Sequence, residues 1–187
     1  LLFIVLGLPD GLLGAFNPTI RAEFAIGTDA WAWILLAGTA GYTISTSTLG
    51  KVMARYSFTS ILTIAAILRA LVLLGYAVMP AWMGLIALGF SLGFFAGYID
   101  AGLNVWFAMR FSTREMNWLH AAFGIGMTSA SLLAGGLLAN AFNWRSGYVV
   151  AAIATMALGV AVWITRKSWS IPPVIQNEPG EKSEAPP

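Results

Sequence analysis

Cysteine is absent from these 187 residues, histidine occurs once, at His120, and charged side chains make up only 10% of the chain. The missing thiols exclude thiolate catalysis, thiolate-bound metals and disulfides. A single histidine leaves no room for a histidine-rich metal centre, so no metal or other cofactor is expected. An ordinary soluble domain carries roughly 25% charged residues, and this scarcity argues against a water-soluble globule. Ten Lys/Arg against eight Asp/Glu give a formal net charge of +2 without a basic stripe, so nucleic acid is not an expected partner. What is abundant is apolar: 58% hydrophobic residues and a mean hydropathy of +0.78. Twenty glycines and eight tryptophans fit a membrane, because glycine lets helices approach closely in lipid and indole rings favour the headgroup interface.

A helix needs about 20 apolar residues to cross the hydrocarbon core. Six such stretches occur, over residues 1–20, 30–50, 57–79, 81–107, 117–142 and 146–165. The expected fold is an all-α membrane bundle of six transmembrane helices in 1–165. Lys51, Arg55, Arg110, Arg114, Arg166 and Lys167 fall at one side, and only Arg21 and Arg145 at the other. The excess of bases places the first group, and with it both termini, in the cytoplasm. Trp31, Trp33, Trp82 and Trp144 then lie near outer ends. Residues 166–187 hold five of the eight prolines and charges of both signs, the composition of a disordered cytoplasmic tail or linker. The opening LLFIVLGLPDG lacks methionine and begins inside an apolar run, as expected of a fragment that starts mid-helix; a cleaved signal peptide is the alternative.

Four ionisable residues interrupt the spans: Asp10, Arg69, Asp100 and His120. Each costs roughly 2.5–3.5 kcal/mol to place in hydrocarbon and needs a partner or a wet cavity. Gly7, Asp10, Gly11, Gly14 and Asn17 recur at helical spacing on one polar face, bracketed by Pro9 and Pro18. Gly89, Gly93 and Gly97 step by four into Asp100 and Asn104, a side that admits a close neighbour at one end and presents a carboxylate with an amide at the other. Asp100 is the first candidate for a functional carboxylate and Asp10 the second. Arg69 is expected to form an intramembrane ion pair with one of them, as a fixed strut or a gate. His120 follows Asn117 by one turn, and its alternatives are a proton relay and a local hydrogen bond. The hydroxyls of Thr39, Thr43, Ser45, Thr46 and Ser47 are expected to bond their own helix backbone. GFSLG, residues 89–93, matches a nucleophile elbow, but that motif needs a strand-turn-helix context. Within a lipid-length run it is no hydrolase signature, and no enzyme activity is expected.

The first and last three spans echo one another, Asp10 and Asn17 corresponding loosely to Asp100 and Asn104, as in a three-plus-three repeat. GLPDGLLGAFNPTI resembles the first helix of major facilitator transporters. GKVMARYS sits where that superfamily carries its G-x-L-A-D-R-x-G loop; Gly50 and Arg55 match, while Ala54 and Ser57 replace the aspartate and second glycine, and Lys51 adds a base. IDAGLN followed by NWLHAAFGIG is similar to the fucose-permease-like sugar and proton symporters, with Asn117, Leu119, His120, Phe123, Gly124 and Gly126 supplying the pattern and Trp144-Arg145 preceding the sixth span.

The resemblance implies the N-terminal six-helix half of a secondary transporter. Its second half would be a covalent continuation or a second copy, and the membrane a bacterial plasma (inner) membrane. Asp100 and Asp10 would couple protons to the uptake of a sugar or similar small polar solute. Asn17, Asn104 and His120 would hydrogen-bond it, and Tyr98 and Trp106 would stack on it. Gly50, Lys51 and Arg55 would form the inner loop. The competing readings are efflux of amphipathic compounds and a non-transporting membrane scaffold.

Overall fold

The computed structural model describes residues 1–169, which form six long helices and a closing 3-10 turn, with no strand among them. The helices are α1 (Leu2–Glu23), α2 (Thr28–Met53), α3 (Phe58–Val78), α4 (Trp82–Ala108), α5 (Thr113–Ala139) and α6 (Arg145–Ile164). Five are long and apolar enough to cross a membrane; α2 falls below that hydropathy because Thr39, Thr43, Thr46 and their neighbours dilute its apolar residues. The proposed tail opens with a 3-10 turn, Arg166–Trp169, and residues 170–187 lie outside the described residues.

Helix ends depart from the apolar boundaries wherever local hydrogen bonds extend or cut the helix. Polar Ser112, Thr113, Arg114 and Glu115 come before Asn117, yet α5 begins at Thr113, since the Glu115 carboxylate accepts from the Ser112 amide at 2.8 Å and its hydroxyl at 2.9 Å, a capping arrangement that starts a helix in polar sequence. At the far end α5 stops at Ala139, short of Phe142. There Ala141 takes a left-handed φ of 58° and the Phe142 amide bonds back to the Leu137 carbonyl. α1 ends the same way, past Ile20, with Ala25 at φ 52° and the Ile26 amide on the Arg21 carbonyl. Both are Schellman closures.

The strongest pairings are α2 with α4, α1 with α5 and α3 with α6. The first two pairs touch backbone to backbone. A Cβ placed on Gly7 would meet the Phe123 carbonyl, on Gly11 the Met127 carbonyl, and on Gly126 the Ile4 carbonyl. The same three contacts recur between α4 and α2: Gly93 with the Gly38 carbonyl, Gly97 with the Tyr42 carbonyl, and Gly41 with the Phe90 carbonyl. Ile4 and Phe90, Gly7 and Gly93, and Gly11 and Gly97 are each 86 residues apart, and Gly38 and Phe123, Gly41 and Gly126, and Tyr42 and Met127 are each 85 apart. Buried Leu62, Ala65, Ala66 and Arg69 of α3 likewise stand 86 residues before buried Tyr148, Ala151, Ala152 and Thr155 of α6. The bundle is therefore a three-plus-three repeat. Its register corrects the sequence alignment: Asp10 is equivalent to Ala96 and Asp100 to Gly14, because backbone contacts, and not the polar side chains, fix which residues correspond.

Two apolar clusters hold the bundle. One, with Phe16, Trp31, Leu73, Tyr76, Trp144 and Tyr148, lies toward the end where α1, α3 and α5 finish. The other, with Phe3, Leu6, Phe58, Leu62, Ile99 and Val162, lies toward the opposite end. Arg69 falls between them along α3, flanked by Ala66 in one and Leu73 in the other.

Candidate functional site

A cavity of about 490 Å³ opens between the two clusters, lined by residues of α1 to α5. Asp10, Arg69, Asp100 and His120, the four ionisable residues read from the sequence, all line it. α1 supplies Asp10 one residue after Pro9, and α4 supplies Asp100 three residues after Gly97, where α2 lies against the backbone.

Asp100 is held on both oxygens. The Tyr42 hydroxyl of α2 donates to Oδ2 at 2.5 Å, and Asn104 Nδ2 donates to Oδ1 at 3.2 Å and to the Asp100 carbonyl at 3.0 Å. Asp10 is exposed and has no side-chain hydrogen bond or ion pair among the described residues. Arg69 is only 2% exposed. Its expected ion pair is replaced by a different bond: Nη2 donates to the Leu6 carbonyl at 3.0 Å, and among the described residues the ion pair within 4.0 Å is Glu23 with Arg145. Pro9 has no N–H for the Val5 carbonyl, and the carbonyl that holds the guanidinium is its neighbour, Leu6. Both carboxylates nonetheless lie within electrostatic reach of Arg69. His120 meets Phe3 edge to face at 5.9 Å.

The remaining sequence candidates lie elsewhere. Asn104 reaches the cavity only through Asp100, and Asn17 is absent from its lining. Tyr98 shares a 2.9 Å hydrogen bond with Thr48 and borders a separate apolar recess. Trp106 packs with Phe107, Phe111 and Trp169 near the end of α4, with Arg110 5.0 Å from its ring. Gly50, Lys51 and Arg55 belong to the last turns of α2 and the loop that follows, outside the cavity. Ser91 of GFSLG lies inside α4 and donates to the Ala87 carbonyl at 3.2 Å. The hydroxyls of α2 bond their own helix, Thr39 to Leu35, Thr43 to Thr39 and Ser47 to Thr43. Sequence reasoning missed Tyr42, whose signal was its place in that hydroxyl-rich run, and Tyr76, which lines the cavity while stacking on Tyr148 at 4.9 Å.

A repeat of three helices, inverted about a cavity that carries buried charge, is the arrangement of transporter halves. The family model described as the Major Facilitator Superfamily matches residues 1–186. The chain belongs to the Major Facilitator Superfamily. It is a membrane-transporter chain, and its apolar helices are those of an integral membrane protein. No curated protein matches it. In this superfamily chain the charged cavity lies near the middle of the bundle, between the two apolar clusters.

Proposed function

We propose that this major facilitator chain carries a small polar solute, a sugar or a close analogue, by alternating access coupled to protons. The observation that supports it is the convergence of Asp10, Arg69 and Asp100, from three helices, on one cavity. Two carboxylates facing one buried cation form a group whose charge changes when a proton enters, and hydrogen-bond partners around Asp100 suit a polyhydroxylated solute. Asp100 is the first coupling residue and Asp10 the second. The likeness to fucose-permease-like symporters supports the sugar class and a bacterial inner membrane with both termini in the cytoplasm. A second six-helix half, covalent or a second copy, closes the exposed face of the cavity.

One observation favours efflux of amphipathic compounds as a second reading: much of the lining is apolar, including Phe3, Leu13, Leu35, Leu92 and Phe123. Proteoliposomes of the full-length protein under an imposed proton gradient separate the two. Uptake of labelled sugar that is driven by the gradient and abolished by Asp100→Asn supports the first. Gradient-driven extrusion of a lipophilic cation, with no sugar uptake, replaces it with the second.

A further inference from the structure

A second recess, of about 600 Å³, lies away from the cavity where α3 begins and α6 ends. Ser57, Ser60 and Thr63 line one wall, and Trp163, Arg166 and Lys167 the other. Ser57 caps α3, accepting from the Ser60 amide at 3.2 Å, and the two hydroxyls lie 2.7 Å apart. The amides of Phe58 and Thr59 are those that a helix start leaves without an intrahelical partner. One turn deeper Thr63 is only 6% exposed, yet its hydroxyl has no hydrogen-bond partner. Buried Thr155, by contrast, bonds the carbonyl four residues back at 2.7 Å. Arg166 stands 5.0 Å from the Trp163 ring, and both Arg166 and Lys167 are exposed. Two cations, the hydroxyls of Ser57 and Ser60 and the positive end of a 21-residue helix face a space that no carboxylate of the described residues lines, and the Thr59 hydroxyl, donating to the Arg166 carbonyl at 3.5 Å, ties its two walls together. Such a donor set calls for an oxyanion with several acceptor oxygens, as in a phosphate.

What selects between a soluble phosphate and a lipid is the neighbouring space. An apolar recess of about 210 Å³ shares Ser60 and Ile64 with the first and continues between Val52, Ile61, Phe95 and Tyr98. Ile64 and Trp163 are 56% and 54% exposed, on helices of membrane-crossing length. A soluble anion fills the recess beside Arg166 and Lys167 alone, whereas a phospholipid fills both.

We propose that the paired recesses bind an anionic phospholipid, its headgroup phosphate between the start of α3 and Arg166-Lys167, and one acyl chain beside Ile64. The site does not depend on which solute the cavity carries.

The test is native mass spectrometry of the full-length protein released from detergent, with phosphatidylglycerol, phosphatidylcholine of the same chains, and glycerol phosphate. Phosphatidylglycerol is expected to remain bound preferentially. The double variant Arg166→Gln/Lys167→Gln should weaken its retention about 30-fold without shifting the melting temperature of the lipid-free protein. Thr63→Val, close in shape, should weaken it less. Equal retention of the two lipids, or phosphatidylglycerol retention unchanged in the double variant, overturns the site. Glycerol phosphate held as firmly as phosphatidylglycerol overturns the lipid assignment in favour of a soluble phosphate.

Discussion

The Tyr42 hydroxyl and the Asp100 carboxylate, 58 residues apart on neighbouring helices, meet in a 2.5 Å hydrogen bond. Its geometry depends on how near α2 comes to α4, and that distance is set by Gly97 against the Tyr42 carbonyl. Backbone contact and carboxylate orientation are thus linked through a single residue of α2.

Tyr42→Phe removes only the hydroxyl. A hydrogen bond to a charged group contributes about 1.5–3 kcal/mol. The variant is expected to insert and to melt several degrees below the parent while losing most of its transport. Solute flux in proteoliposomes beside thermal melting in detergent measures both; undiminished flux would separate Tyr42 from the function of Asp100.

The two aspartates are expected to differ in their structural cost. Asp100 has hydrogen bonds to lose, while Asp10 has none among the described residues. Asp100→Asn should therefore lower the melting temperature measurably, and Asp10→Asn should leave it unchanged or raise it. Equal destabilisation by both would contradict the partner assignments.

Val at Gly41 or at Gly126 would drive a side chain into the Phe90 or the Ile4 carbonyl. Overpacking of this kind costs about 1–3 kcal/mol. Because the two positions are repeat-equivalent, Gly41→Val and Gly126→Val are expected to destabilise to a similar extent. Val at Gly135 or Gly136, which face open space, should be tolerated; melting of the four variants in detergent decides.

Ala25 and Ala141 hold left-handed backbone conformations of φ 52° and 58°, which cost an L-residue roughly 1–2 kcal/mol. Glycine relieves that strain at some cost in chain entropy. Ala25→Gly and Ala141→Gly are each expected to raise stability by a few tenths to about 1 kcal/mol. Chemical unfolding in mixed micelles measures the shift, and a loss of stability would refute the strain argument.

Much of the architecture was legible because lipid imposes a plain length rule. The apolar runs marked all six helices, and Asp10, Arg69, Asp100 and His120 stood out as residues that lipid penalises. Their meeting in one cavity follows from the same penalty. What escaped was governed by backbone. The Leu6 carbonyl that captures Arg69 is invisible in a list of side chains. The repeat register was misread from Asp10 and Asp100 because the matching positions are glycines and carbonyls. Trp106 and Tyr98 look like stacking platforms in sequence, yet rotation of α4 turns them away from the cavity.

Helices whose backbones touch cannot slip past each other by even one residue without forcing a carbonyl into a side chain. α1 with α5, and α4 with α2, are therefore two pairs, each locked in register. Between the pairs few backbones approach, so a rearrangement of the bundle would meet least resistance there. Arg69, anchored on one pair at the Leu6 carbonyl and within the field of Asp100 on the other, bridges that gap.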